Sequence, residues 1–329
     1  MTEPTKKVDA VFEGGGVKGI GLVGAVVATE EQGYQFVNVA GTSAGAIVAS
    51  LVAAGYSGPE MRQILQELDY NRFKDPGWED RIPIAGPIYS VLTEKGIYEG
   101  DFLEDLLRDL LADKGVHTFG DLVMDEFKDN PRYRFKLQVV AADVNRGQML
   151  VLPRDIEQYG AMPDKLNVAR AVRMSMSIPF FFRPVLLQDV STGKTSFIVD
   201  GGVLSNYPVH LFDDGSADPP WPTIGYKLVD PQEGKPRDIR SALSMLTALF
   251  ATMMEAHDAR YIRDHNFVRT VPVPTMGVGT TEFDLSPEKS EALYQAGHKA
   301  AVEFFERWDF DEYKQKYRQG VEVHRTDRL

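Results

Sequence analysis

From Gln32 to Pro59 the chain carries no charged residue. A stretch that long must be taken out of water, in a bilayer or in a protein core. Its own composition decides which. Asn38, Thr42, Ser43, Ser50 and several glycines interrupt it, dividing it into an apolar run, Phe36–Ala40, a Gly-containing turn and an Ala-rich run, Ala44–Ala54. The pattern predicts a buried strand, a sharp turn and a buried helix rather than a membrane span. The turn reads Gly41-Thr42-Ser43-Ala44-Gly45, a G-x-S-x-G sequence in the strand-to-helix context that motif requires. A serine on so tight a turn has a strained backbone and projects its Oγ outward. Glycines two residues to either side let neighbouring backbone come close. The helix N-terminus adds partial positive charge where an oxyanion would form. The plainer reading is a glycine-rich helix start with Ser43 as its cap.

The rest of the chain alternates strand and helix, which argues for a largely parallel sheet with helices on its faces. Val8–Phe12 is an expected first strand, Ile20–Glu31 a core helix, Glu60–Leu68 a short helix within the loop-rich stretch Tyr56–Tyr98. Phe102–Lys114 is amphipathic, with Leu103, Leu106, Leu107, Leu110 and Leu111 at helical spacing, Gly100-Asp101 at its start and Gly115 at its end. Phe135–Val144 and Met149–Leu152 read as strands around an Asn145-Arg146-Gly147 turn. Further expected elements are a helix at Leu166–Met176, strands at Ser196–Val199 and Thr223–Val229, a long helix at Ile239–Arg260, a late strand at Phe267–Val273 and a final helix at Pro287–Trp308.

Two more segments carry chemistry. Gly14-Gly15-Gly16-Val17-Lys18-Gly19 lies between the first strand and the first helix. As a dinucleotide fingerprint it fails its context test, because the second strand ends in Val39-Ala40-Gly41 with no acidic residue. A P-loop is excluded, since Ile20 stands where the lysine would follow the last glycine. Consecutive glycines also expose backbone N–H groups, the composition of an oxyanion hole, with Lys18 holding the loop or adding positive charge. A simple tight turn remains the plain alternative. Asp200-Gly201-Gly202 follows the apolar strand Phe197–Val199, so Asp200 is freed to point toward a neighbouring strand end, or only caps a turn.

Taken together, these segments resemble the patatin-like phospholipase family, whose pattern is G-G-G-x-[RK]-G, then G-x-S-x-G, then D-G-[GA]. All three occur here in order, at 14–19, 41–45 and 200–202. Gly96-Ile97-Tyr98, Thr118–Leu122, Ser175–Pro179 with Pro184, and Asn206 with Pro208 extend the likeness over about residues 8–230. Lys18 departs slightly, arginine being commoner there; it keeps the charge and loses the fork. The resemblance implies a three-layer α/β/α sandwich with a mostly parallel sheet, forming one domain over 1–329 with a C-terminal extension from 231. It implies a Ser43–Asp200 dyad, with Gly14, Gly15 and Gly16 forming the oxyanion hole and Lys18, Gly41, Gly45, Gly201 and Gly202 in support. The expected reaction is hydrolysis of a phospholipid or other fatty-acyl ester through an acyl-Ser43 intermediate, with no metal and no cofactor. A transacylase would use the same intermediate, and a nucleotide-binding oxidoreductase on Gly14–Gly19 is the alternative of another class.

An α/β-hydrolase triad of Ser43, Asp200 and His210 is disfavoured. That fold places its nucleophile after several strands rather than the second, and His210 falls ten residues after Asp200, in an expected next helix. Phe180-Phe181-Phe182 and Met245, Met253 and Met254 could line an acyl channel, though such residues more often fill a core. Composition narrows the field further. There is no cysteine, so disulfides, Cys-ligated metals and a thiol nucleophile are excluded. A net charge of −12 disfavours nucleic acid as a partner and makes any transient membrane contact depend on apolar surface. The polar start Met1–Lys7 has no signal-peptide pattern, so the expected location is cytoplasmic, at most peripheral to a membrane.

Overall fold

The computed structural model describes residues 6–67, 96–98, 100–230, 239, 245–246, 248–254, 264–280, 282 and 285–318. Its frame is an eight-stranded sheet built from β1 (Lys6–Phe12), β2 (Tyr34–Thr42), β4 (Leu137–Asp143), β5 (Gln148–Leu152), β7 (Val185–Gln188), β8 (Thr195–Asp200), β9 (Thr223–Val229) and β10 (Thr270–Pro274). The order is β10-β9-β1-β2-β4-β8-β7, with β5 also paired to β4. The five strands from β10 to β4 run parallel, whereas β5 and β8 are antiparallel to β4. β3 (Gly96–Tyr98) pairs separately with β6 (Phe180–Phe182). The mostly parallel sheet flanked by helices is the expected α/β class.

Burial follows the sequence pattern. β1 is buried from Val8 onward and every residue of β4 is buried, as strands covered on both faces require. The uncharged run becomes β2 followed directly by α2 (Ala44–Ala54), and no helix among the described residues is long and apolar enough to cross a membrane. α1 (Gly19–Glu31) is apolar all round and is covered by α7 (Pro287–Phe305), the last long helix. Their backbones meet at Gly297, where a Cβ would lie 1.8 Å from the Gly21 carbonyl oxygen, so only glycine permits that crossing. α3 (Gly58–Glu67) packs on α1, while α4 (Asp101–Asp113) packs its Leu103, Leu107 and Leu111 face toward α2 and α5 (Val168–Ser175).

Several boundaries differ from expectation for local reasons. The late strand begins at Thr270 rather than Phe267, because Phe267 and Val268 belong to a short helix, α6 (Asp264–Val268). Asn266 closes that turn: its carbonyl accepts the Thr270 hydroxyl and its Oδ1 accepts from the guanidinium of Arg269. Arg269 is fully buried and forms a two-pronged bond to Asp213 at 2.7 and 2.6 Å. α5 starts later than expected, at Val168, since the side chain of Asn167 caps it by accepting the Arg170 N–H at 2.9 Å. β6 and β7 were not foreseen. The expected helix over Ile239–Arg260 is helical at 245–246 and 248–254, and the remainder lies outside the described residues except Ile239, which is not helical. Most of the loop-rich Tyr56–Tyr98 stretch also lies outside them.

One buried charge within β1 makes stability depend on pH. Asp9 is 3% exposed and its Oδ1 accepts the Asn38 N–H at 3.0 Å. Burial pushes its carboxyl from 3.8 up to about 7, and the Asn38 hydrogen bond only partly opposes the rise. The folded chain therefore holds this proton more tightly than the unfolded chain, and stability falls as pH rises from about 4 to about 7, then levels off. Asp9→Asn keeps the acceptor without the charge. It is expected to raise Tm by a few degrees at about pH 8, with the gain vanishing near pH 4, in thermal melts across that range.

Candidate active site

The site forms where two strands meet end to end. β5 occupies one edge of β4 along Val139–Asp143. β2 and β8 must therefore share the other edge. β2 ends with Thr42 beside Val140, and β8 ends with Asp200 beside Ala141. Their C-termini abut at adjacent residues of β4, which brings the turn carrying Ser43 up to Asp200.

Ser43 has φ 54° and ψ −127°, a region that costs a residue with a side chain about 1–3 kcal/mol. It is 2% exposed. Its N–H donates to Ser175 Oγ at 2.8 Å and its Oγ lies 3.5 Å from Met176 Sδ. Asp200 is 1% exposed, and its Oδ1 accepts the Gly202 N–H at 2.8 Å. Burial pushes the Asp200 carboxyl up to about 7, with hydrogen bonds from the Ser43 side chain and the Gly202 amide opposing the rise. Gly201 lets this turn lie on β4, since a Cβ there would fall 2.4 Å from the Val140 carbonyl oxygen.

The glycine-rich loop joins the same place. A Cβ on Gly14 would lie 2.9 Å from Ser43 Cβ and 2.3 Å from Asn206 Oδ1. The Gly14 N–H is committed, donating to the Asn206 carbonyl at 3.2 Å, so of the three expected oxyanion donors this one is already in use. Among the described residues no partner engages the N–H of Gly15 or Gly16. Gly16 has φ +58° and presses against the Thr280 carbonyl, so the loop's path needs glycine there. Lys18 pairs with Asp230 at 3.0 Å, which anchors the loop to the end of β9. Gly41 and Gly45 allow α2 to sit close on the strands: a Cβ at Gly41 would meet the Gly45 carbonyl oxygen at 2.2 Å.

Five side chains that sequence reasoning gave no role hold this assembly. Glu13, buried immediately before the glycines, pairs with Lys227 at 2.6 Å and accepts the Leu228 N–H, clamping β1 to β9. The Asn206 side chain donates to the Gly14 carbonyl at 3.1 Å and to Glu13 Oε1 at 3.4 Å, tying the glycine loop to the segment after Asp200. Ser175 and Met176 contact Ser43 as described. A charged residue at the end of an apolar strand was the available signal for Glu13; Asn206 and Ser175 stood out only through the family pattern. His210 is exposed and lies in a turn rather than a helix, apart in environment from buried Ser43 and Asp200.

An apolar pocket adjoins the serine. Ala44, next to Ser43 in the chain, and Met176, in contact with its hydroxyl, line it together with Gly16, Val48, Leu51 and Leu107. Phe182 also lines it, whereas Phe180, Met245 and Met253 are exposed and Met254 packs against Gly202. The arrangement offers a hydroxyl on a strained turn, a carboxyl of raised basicity, two amides unengaged among the described residues and an apolar pocket. Its geometry depends on α2 lying close to β1. A methyl on Gly45 would fall 2.2 Å from the Phe12 carbonyl oxygen and 2.6 Å from that of Glu13. Backbone cannot step aside, so Gly45→Ala is expected to cost about 1–3 kcal/mol in urea unfolding.

Residues 10–213 match the family profile described as Patatin-like phospholipase. The chain is 40% identical over 305 residues to "Uncharacterized protein YqhO" of Bacillus subtilis (strain 168), covering 92% of this chain and 99% of that protein. It is 26% identical over 301 residues to "Uncharacterized protein R571" of Acanthamoeba polyphaga mimivirus, with 88% and 90% covered. Among solved structures, VipD from Legionella pneumophila aligns with a TM-score of 0.55 at 19% identity, over 92% of this chain and 67% of that one, a likeness of fold. The profile match contains the glycine loop, the Ser43 turn and the Asp200 turn together, and the chain belongs to the patatin-like phospholipase family.

Proposed function

We propose that the chain is a lipid acyl hydrolase in which Ser43 is the nucleophile and Asp200 its general base. The observation that carries the reading is the apolar cavity beginning at Ala44 and Met176, beside the Ser43 hydroxyl, where the acyl chain of an ester would lie. Ionised Asp200 takes the Ser43 proton as Oγ attacks the ester carbonyl. The amides of Gly15 and Gly16 stabilise the oxyanion, since Gly14 is engaged with Asn206. Collapse expels the alcohol, which receives the proton from Asp200 and leaves an acyl-Ser43 ester. Asp200 then draws a proton from water, the resulting hydroxide attacks the acyl group, and the fatty acid departs as Ser43 recovers its proton. Each step uses groups of the chain, so chelator is expected to leave the rate unchanged. Passing the acyl group to an alcohol in place of water would make the same site a transacylase.

Four measurements test this reading. Ser43→Ala and Asp200→Asn are each expected to abolish fatty-acid release from defined phospholipids by mass spectrometry, and Ser43→Ala to abolish fluorophosphonate labelling. Folded wild-type protein that releases no fatty acid from any lipid would sink the hydrolase. In the pH profile, the base must be ionised, so kcat/KM is expected to fall tenfold per pH unit below the Asp200 value of about 7 and to level off above it. α2 measures cavity depth: Leu51 lies about 10 Å along the helix from Ala44 at 1.5 Å per residue. Leu51→Phe is expected to raise the ratio of short-chain to long-chain ester turnover about tenfold.

A further inference from the structure

Three consecutive residues at the end of α5 each touch one of the two groups assigned to catalysis. Ser175 Oγ accepts the Ser43 N–H at 2.8 Å and donates to the Val140 carbonyl at 2.6 Å. Met176 Sδ lies 3.5 Å from Ser43 Oγ. The Ser177 carbonyl accepts the Asp200 N–H at 2.9 Å. Ser175 and Ser177 are fully buried, so water cannot replace these partners. Val140 is also the β4 residue beside Thr42, so one hydroxyl links the end of β2, the serine turn and the strand that the ends of β2 and β8 both abut. Arg173, 3% exposed, stiffens the segment from within: its Nη1 donates to Ser177 Oγ at 2.6 Å and its Nη2 to the Arg183 carbonyl at 3.0 Å.

We propose that Ser175 is a positioning residue for hydrolysis, holding the strained Ser43 turn in register with Asp200 through the Ser175–Ser177 strap. Ser43 sits at a positive φ that its neighbours must impose, and the Ser175 hydroxyl is the acceptor for its buried N–H. Without that acceptor the turn relaxes and Oγ moves off the carboxylate. Small displacements of this kind cost rate rather than binding. The inference rests on the hydrolase reading and assigns one of its supports.

The test compares the full-length wild type with Ser175→Ala, Ser175→Thr, Ser175→Cys and Ser50→Ala. Ser50 is a buried serine whose Oγ, among the described residues, bonds within α2 to the Ile47 carbonyl at 2.8 Å, and its loss controls for a deleted buried hydroxyl. Readouts are the fluorophosphonate labelling rate, kcat and KM on a soluble medium-chain ester, the pH profile and Tm. Ser175→Ala is expected to lower labelling and kcat about 100-fold with KM nearly unchanged. Its acid limb should also move up, because the Ser43 hydrogen bond that holds the Asp200 carboxyl down is lost. Ser175→Thr restores the hydroxyl and recovers most of the rate. Ser175→Cys, a weaker acceptor of similar shape, falls between and decides the matter where Ser175→Ala does not fold. Ser50→Ala labels at the wild-type rate. A folded Ser175→Ala or Ser175→Cys variant with wild-type labelling and pH limb overturns the inference alone. Wild-type protein that resists labelling and hydrolyses no ester overturns the hydrolase reading and this inference with it.

Discussion

Everything at this site depends on β4 having only two edges. β5 takes one of them along Val139–Asp143, so the parallel strand β2 and the antiparallel strand β8 divide the other. Two strands running toward each other on one edge must stop where they meet. They stop at Thr42 and Asp200, beside Val140 and Ala141. The next residue after β2 is Ser43. A backbone hydrogen-bonding constraint, rather than any attraction between side chains, is what delivers a hydroxyl and a carboxyl from positions 43 and 200 to one place.

Around that meeting point the structure accepts local cost. Ser43 holds a disfavoured backbone and Asp200 a carboxyl with almost no water. Such groups persist when their surroundings over-determine them. Here the surroundings are explicit. Glu13 and Lys227 lock β1 to β9, Asn206 joins the glycine loop to the segment after Asp200, and Ser175 satisfies the Ser43 amide. Burial that costs stability also raises the basicity of Asp200. The exposed His210 has no such environment.

Much of the sheet was legible because its strands are short apolar runs ended by glycine, proline or a charge. α2 and β9 match their expected bounds at both ends, and α4 is shifted by a residue. The misses have physical reasons. β6 and β7 are short strands whose apolar residues are partly exposed, so no alternation marks them. Phe267 and Val268 are β-formers held in a helical turn by Asn266 and Arg269, whose partner Asp213 is remote in sequence. For the site, the glycines were readable because their spacing reports steric need. Which amides stay unengaged was not, since the Gly14 N–H is taken by the carbonyl of Asn206.

The sequence by itself determined that Ser43 stands on a strand-to-helix turn, that Asp200 ends an apolar strand and that glycines surround both, because these follow from local sterics within a few residues. Tertiary structure alone decided that the two ends meet on β4, that Lys18 serves Asp230 rather than the serine, and that an apolar cavity starts at Ala44. Those outcomes depend on strand partners, ion pairs and helix packing between residues far apart in the chain, and no local pattern encodes which distant group will arrive.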